Sequence, residues 1–69
     1  MKTLKQMKND PRIYEICRVS GEDFNDPQTK YEINLNDGYM FRNGGGVEYA
    51  ANIKELNDLL NEIIIDNEG

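Results

Sequence analysis

The residues whose types and spacing suit chemistry fall into a few groups. Gly44-Gly45-Gly46 invites comparison with a phosphate-binding loop. Such a loop ends in Gly-Lys-Ser/Thr at the start of a helix, so that backbone N–H groups and a lysine meet the phosphates. Here Val47-Glu48 comes next, and the Glu48 carboxylate would oppose a phosphate. The run reads as a flexible turn. Glu22, Asp23 and Asp26 form an acidic loop that suggests a divalent cation. Set against a calcium-binding loop, Asp23 and Asn25 fit the first two ligand positions. Pro27 then falls at the third, Gln28 replaces the glycine of the sharp turn, and Asn34 stands where a bidentate glutamate is required. The loop reads as solvated acid, and no metal is assigned. The chain has no histidine, so Cys17 and the hydroxyl side chains lack the usual base for nucleophilic catalysis. Carboxylates are plentiful, yet acid–base chemistry also needs an apolar pocket that pushes two pKa values apart. A chain of 69 residues leaves little room for one. The reading is a protein that is not an enzyme and carries no cofactor.

Charge narrows the partners. Thirteen acids against eight bases leave a net charge of −5. The distribution is lopsided: residues 1–18 hold Lys2, Lys5, Lys8, Arg12 and Arg18 against Asp10 and Glu15, a balance of +3, and the rest of the chain carries −8. An acidic body repels nucleic acid and anionic membrane and attracts basic surfaces. Direct nucleic-acid binding is therefore not expected, with the Lys2, Lys5, Lys8 and Arg12 end as the one piece that offers it. Tyr31, Tyr39 and Phe41 resemble a base-stacking platform, but such platforms come with a basic groove. Only Lys30 and Arg42 flank them, so they read as core aromatics. A single cysteine, Cys17, excludes an intramolecular disulfide and points to the cytoplasm. There is no N-terminal apolar run and no stretch near the ~18 apolar residues of a membrane span. One small domain is expected, with a thin core to which a homodimer would add buried area.

The elements that must position these groups are legible in part. Thr3 and Gln6 have capping-box spacing, so Thr3 to Lys8 reads as a short helix docking Leu4 and Met7, with a frayed tail as the alternative. Asn9-Asp10-Pro11 breaks it. Arg12 to Val19 fits a strand by its β-branched and aromatic content, while Pro11 and Gly21 would also bracket a helix. The strand is preferred because the strands after it need a partner. Gly21 to Thr29 is turn chemistry. Lys30 to Leu35 alternates, with Tyr31, Ile33 and Leu35 on one face. Asn36-Asp37-Gly38 reads as a tight turn and Tyr39 to Arg42 as the returning strand. Val47 to Ala50 reads as a short fourth strand or an extended approach to the C-terminal helix.

The last stretch, Asn52 to Asp66, reads as one amphipathic helix. Ile53, Leu56, Leu59, Leu60, Ile63 and Ile64 recur at helical spacing, and Asn52 with Glu55 makes a capping-box-like start. At ~100° per residue, Glu55, Asp58, Glu62 and Asp66 form a second stripe, and Ile65 falls on its flank. The resulting fold class is α+β: a three- to four-stranded antiparallel sheet, the C-terminal helix packed on one face, and a short N-terminal helix.

On a helix, carboxylates three or four residues apart lie ~5–6 Å from one another, comparable with phosphates along a nucleic-acid strand. Glu22, Asp23, Asp26, Asp37 and Glu48 extend that negative surface. Small size, acidity, the lack of histidine and cysteine pairs, and the sheet-plus-helix plan resemble the small phage-encoded host-takeover proteins. The residues that carry the likeness are Glu55, Asp58, Glu62, Asp66 and the acidic loop Glu22-Asp23; the basic N-terminal piece departs from it. Some members of that group are acidic DNA mimics that block histone-like nucleoid proteins. The resemblance implies an inhibitor in the cytoplasm of a bacterial host that occupies the DNA-binding surface of a basic protein. The alternative is a small adaptor that self-associates or binds a partner through apolar surface, with Ile65 as anchor.

Overall fold

Capping residues and β-branched runs set the local structure. In the computed structural model, which describes residues 1–24 and 26–66, Thr3 caps helix α1 (Leu4–Lys8). Gln6 N–H donates to Thr3 Oγ at 3.2 Å, and Thr3 N–H donates to Gln6 Oε1 at 2.8 Å, the reciprocal box expected. Met7 is fully buried. The N-terminus is tied down rather than frayed: Lys2 N–H donates to Asn57 Oδ1 at 2.8 Å, and Asn57 Nδ2 returns a bond to Lys2 O at 2.9 Å.

Strand β1 (Ile13–Arg18) confirms the preferred reading of its segment. Ile13 and Ile16 are three apart, a helical spacing, yet both are buried. A bulge at Tyr14 resolves this: Ile13 pairs with Leu35, but Glu15 pairs with Asn34. The extra residue turns Tyr14 out to solvent, 71% exposed, and returns Ile16 to the core face opposite Ile33. A 3₁₀ turn (Gly21–Phe24) leads to β2 (Tyr31–Leu35).

The next strands depart from expectation. β2 does not form a hairpin with β3 (Tyr39–Phe41); it pairs antiparallel with β4 (Val47–Ala50), so one sheet runs β1-β2-β4. Asn36 supplies the reason. Its backbone N–H donates to Arg12 O at 2.9 Å, and its side-chain amide donates to Pro11 O and Ile13 O at 2.9 and 3.2 Å. The turn, closed by Tyr39 N–H to Asn36 O and by Gly38 at φ +95°, is thereby fastened to β1 and sends the chain out of the sheet. The edge of β2 that is left is taken by β4.

The C-terminal stretch holds the second correction. Asn52 caps α2 as expected, its Oδ1 accepting from Glu55 N–H at 2.9 Å, but the helix spans only Ile53–Leu60. Asn61 and Glu62 close it with N–H bonds to Asp58 O and Leu59 O, and Ile63–Ile65 then form β5, antiparallel to β3. Three consecutive β-branched residues are stiff at χ1 and fit a pleated strand better than a helix. The edge of β3, left open by the missing hairpin, gives them a ladder. Among the described residues the fold is thus α+β, with five strands in two antiparallel sheets and two α-helices, and the three-stranded sheet expected is present. Met7, Leu56, Leu60 and Phe41 cover one face of the larger sheet, packing on Ile13, Ile16, Ile33 and Ala50. Glu15, Cys17, Glu32, Asn34, Val47 and Tyr49 alternate onto its other face.

Candidate protein-binding surface

The carboxylates singled out from the sequence do not form one helical stripe. Glu55 and Asp58 lie exposed on α2. Glu55 has a capping role, its Oε1 accepting from Ala51 N–H at 2.9 Å, and Asp58 meets Lys54 Nζ at 3.3 Å. Glu62 stands in the turn before β5 and Asp66 just after it. Four residues of strand separate them by ~13 Å instead of one helical turn. Glu62 meets Arg42 Nε at 3.4 Å. Asp66 N–H donates to Gly38 O at 2.8 Å, and its carboxylate has no ion pair among the described residues.

That last backbone bond involves the neighbour of Asp37, the acid read from the sequence as part of the turn after β2. Asp37, exposed in the β2–β3 turn, directly precedes Gly38, so both acids, Asp37 and Asp66, belong to the same end of the β3–β5 ribbon. Glu48 is half-buried on β4 opposite Ile33 and accepts from Asn43 Nδ2. Glu22 is exposed in the 3₁₀ turn, and Asp26 is exposed with its Oδ1 accepting from Gln28 N–H at 3.1 Å. The side chain of Asp23 and the whole of Asn25 lie outside the described residues. Among the described residues no group of three or more Asp, Glu, Cys or His is placed to hold a metal ion.

Two features escaped the sequence reading. Asp10 is buried and accepts from Arg12 through Nε at 3.0 Å, Nη2 at 2.6 Å and the backbone N–H at 2.9 Å. The Arg12 guanidinium holds the Asp10 carboxyl down at about 2, and Asp10 in turn raises Arg12. The signal was Asp10-Pro11-Arg12, where proline stiffens the two-residue link. Beside this pair lies an open groove of about 520 Å³ lined by Met1, Lys2, Arg12, Asn57, Leu60, Asn61 and Ile63. Both of its cations are turned towards Asp10, Lys2 Nζ at 3.9 Å.

The aromatics do not form a platform. Phe41 is in the core, Tyr31 lies under the Arg18 guanidinium at 5.1 Å, and Tyr39 is on the second sheet. Burial, and then the carboxylates of Glu32 and Glu15, push the Cys17 thiol up, which keeps it protonated and a weak nucleophile. No helix among the described residues is long and apolar enough to cross a membrane. The fold and surface define a small α+β domain with acidic residues at both ends of the half-buried strand β5. No protein-family model, curated protein or solved structure matches the chain.

Proposed function

We propose that this is an acidic, non-enzymatic binding protein that occupies the nucleic-acid-binding surface of a basic protein, for example a histone-like nucleoid protein, and so competes with its DNA. The observation that supports the reading most is the placement of carboxylates at the C-terminal end of the fold. Glu55, Asp58, Glu62 and Asp66 are all exposed, and exposed Asp37 directly precedes Gly38, whose carbonyl accepts from Asp66 N–H. Among the described residues only Lys54 and Arg42 form ion pairs with them. A basic partner that docks there trades its counterions for fixed carboxylates, as it does on a phosphate backbone.

The test is binding to a purified histone-like protein as salt is raised, with duplex DNA as competitor. Exposed charges screen over about 8–10 Å at physiological ionic strength, so affinity should fall steeply with salt and DNA should displace the protein. Absence of binding at low salt, or binding indifferent to salt, rules the reading out. Ile65, 72% exposed on β5, favours a second reading, a self-associating adaptor. Sedimentation across a concentration series would then show a dimer that Ile65→Glu dissolves.

A further inference from the structure

The outer side of β5 is an open strand edge. Met40 pairs with Ile64, and the ladder is bracketed by Arg42 N–H to Glu62 O at 2.7 Å and Asp66 N–H to Gly38 O at 2.8 Å. Alternate residues of an antiparallel strand turn their backbone groups to opposite sides. Glu62, Ile64 and Asp66 therefore address β3, while the N–H and C=O of Ile63 and Ile65 point away from it. No strand of the described residues lies on that side, and among the described residues no acceptor meets either N–H. Proteins usually blunt such edges with charge, proline or a cover. Here three isoleucines, a composition that pairs readily as strand, are guarded among the described residues only by Glu62 and Asp66 at the two ends.

We infer that the free edge of β5 is a strand-addition site, and that its occupant is an extended segment of a basic protein with a lysine or arginine on each side of a three-residue β-branched core. This rests on the acidic binding-protein reading and adds which part of the partner is held. Charge selects the occupant. A second copy, paired antiparallel so that all three isoleucines are used, sets Ile64 against itself and Glu62 against the copy's Asp66 at both ends. Those are close, non-hydrogen-bonded pairs of like charge, which are destabilising. A segment with cations at these positions turns both repulsions into attractions. The two ends differ. Glu62 is already shared with Arg42 at 3.4 Å, whereas Asp66 lies opposite Gly38, which has no side chain, and has no ion pair among the described residues. The cation opposite Asp66 therefore matters more. The groove lined by Ile63, Leu60 and Met1 borders the same strand and gives room for an apolar side chain of the added segment.

The experiment uses the full chain and two blocked seven-residue peptides with a valine-isoleucine-valine core, one flanked by lysines and one by glutamates. The lysine-flanked peptide should bind, slow amide exchange at Ile63 and Ile65, and exceed its glutamate twin by at least roughly ten-fold in affinity. Ile65→Pro removes one outward donor without touching the ladder to β3; it should lose roughly two- to ten-fold in affinity, one hydrogen bond's equivalent. Asp66→Lys, a surface change, should reverse the preference between peptides. Equal binding of the two peptides, unchanged preference in Asp66→Lys, or full-strength binding by a folded Ile65→Pro overturns the inference. So does a concentration-dependent dimer with Ile63 and Ile65 amides protected in the absence of peptide, which gives the edge to a second copy. If Ile65→Pro still binds the histone-like protein in a DNA-competed manner, strand addition fails alone. If the wild type shows no such binding but takes the lysine-flanked peptide, the proposed function fails and the edge site stands.

Discussion

Arg12 holds Asp10 with both ends of its guanidinium fork, Nε to Oδ1 at 3.0 Å and Nη2 to Oδ2 at 2.6 Å, across a single intervening proline. The Asp10 side chain is only 6% exposed, while that of Arg12 is 32% exposed. The pair sits where α1 ends and β1 begins, so it locks the angle between them.

Its pH dependence has a definite sign. The carboxyl titrates at about 2 in the folded chain against an ordinary 3.8. A depressed carboxylate contributes stability above its unfolded pKa and loses it as pH falls through the folded one. About 2 kcal/mol should therefore be present at neutral pH and disappear between ordinary carboxylate titration and the folded value. Urea melts of wild type and Asp10→Asn should differ by that amount at pH near neutrality and converge near the bottom of the window. A gap that persists in acid means the pair is not the source.

Asn36 predicts a turn-specific loss. Its side-chain amide donates to Pro11 O and Ile13 O, at 2.9 and 3.2 Å. Asn36→Ala removes both and should cost about 1–2 kcal/mol, a Tm drop of roughly 5–10 °C in a domain of this size. Asp37→Ala, next to it and exposed, should stay within about 0.5 kcal/mol. Calorimetry on the two variants separates an anchoring residue from a solvated one.

Adjacent prolines discriminate strand from helix after Leu60. Ile64 N–H addresses β3 and Ile65 N–H points away. Ile64→Pro should lower the Tm sharply or unfold the chain, and Ile65→Pro should melt near wild type. In a helix continued to Asp66 both would break a backbone bond, and equal losses would restore that reading.

Core and surface on α2 should respond in opposite ways. Leu60 is 6% exposed, and Leu60→Ala should cost roughly 2–5 kcal/mol, much of what so small a domain has. The combined Glu55→Gln, Asp58→Asn, Glu62→Gln variant keeps shapes and the Glu55 acceptor, and should melt within about 1 kcal/mol of wild type. Its binding to the histone-like protein should nonetheless be lost. Full-strength binding by this variant would reduce the three carboxylates to a solvated face.

Local chemistry alone determined a good deal of this protein. The Thr3–Gln6 box, the Asn52 cap, the alternation of Tyr31, Ile33 and Leu35, and the glycine of the Asn36-Asp37-Gly38 turn each act within a few residues, and each is found as read. The α+β class comes from them. Tertiary structure decided what local periods leave open. Ile63 and Ile64 fall on a helical stripe by spacing and suit a strand by β-branching, and the open edge of β3 settles them as strand; Ile65, off the helical stripe, and the run of three isoleucines were the signals for it. Ile13 and Ile16 reach one core from one strand only because β2 accepts a bulge at Tyr14. The candidate site changed with them: Glu62 and Asp66 left the helix, and Asp66 came to bond Gly38, the residue after Asp37. Strand partners are chosen by whichever edges remain unpaired once the chain collapses, and unpaired backbone groups are a property of the whole fold rather than of any window of sequence.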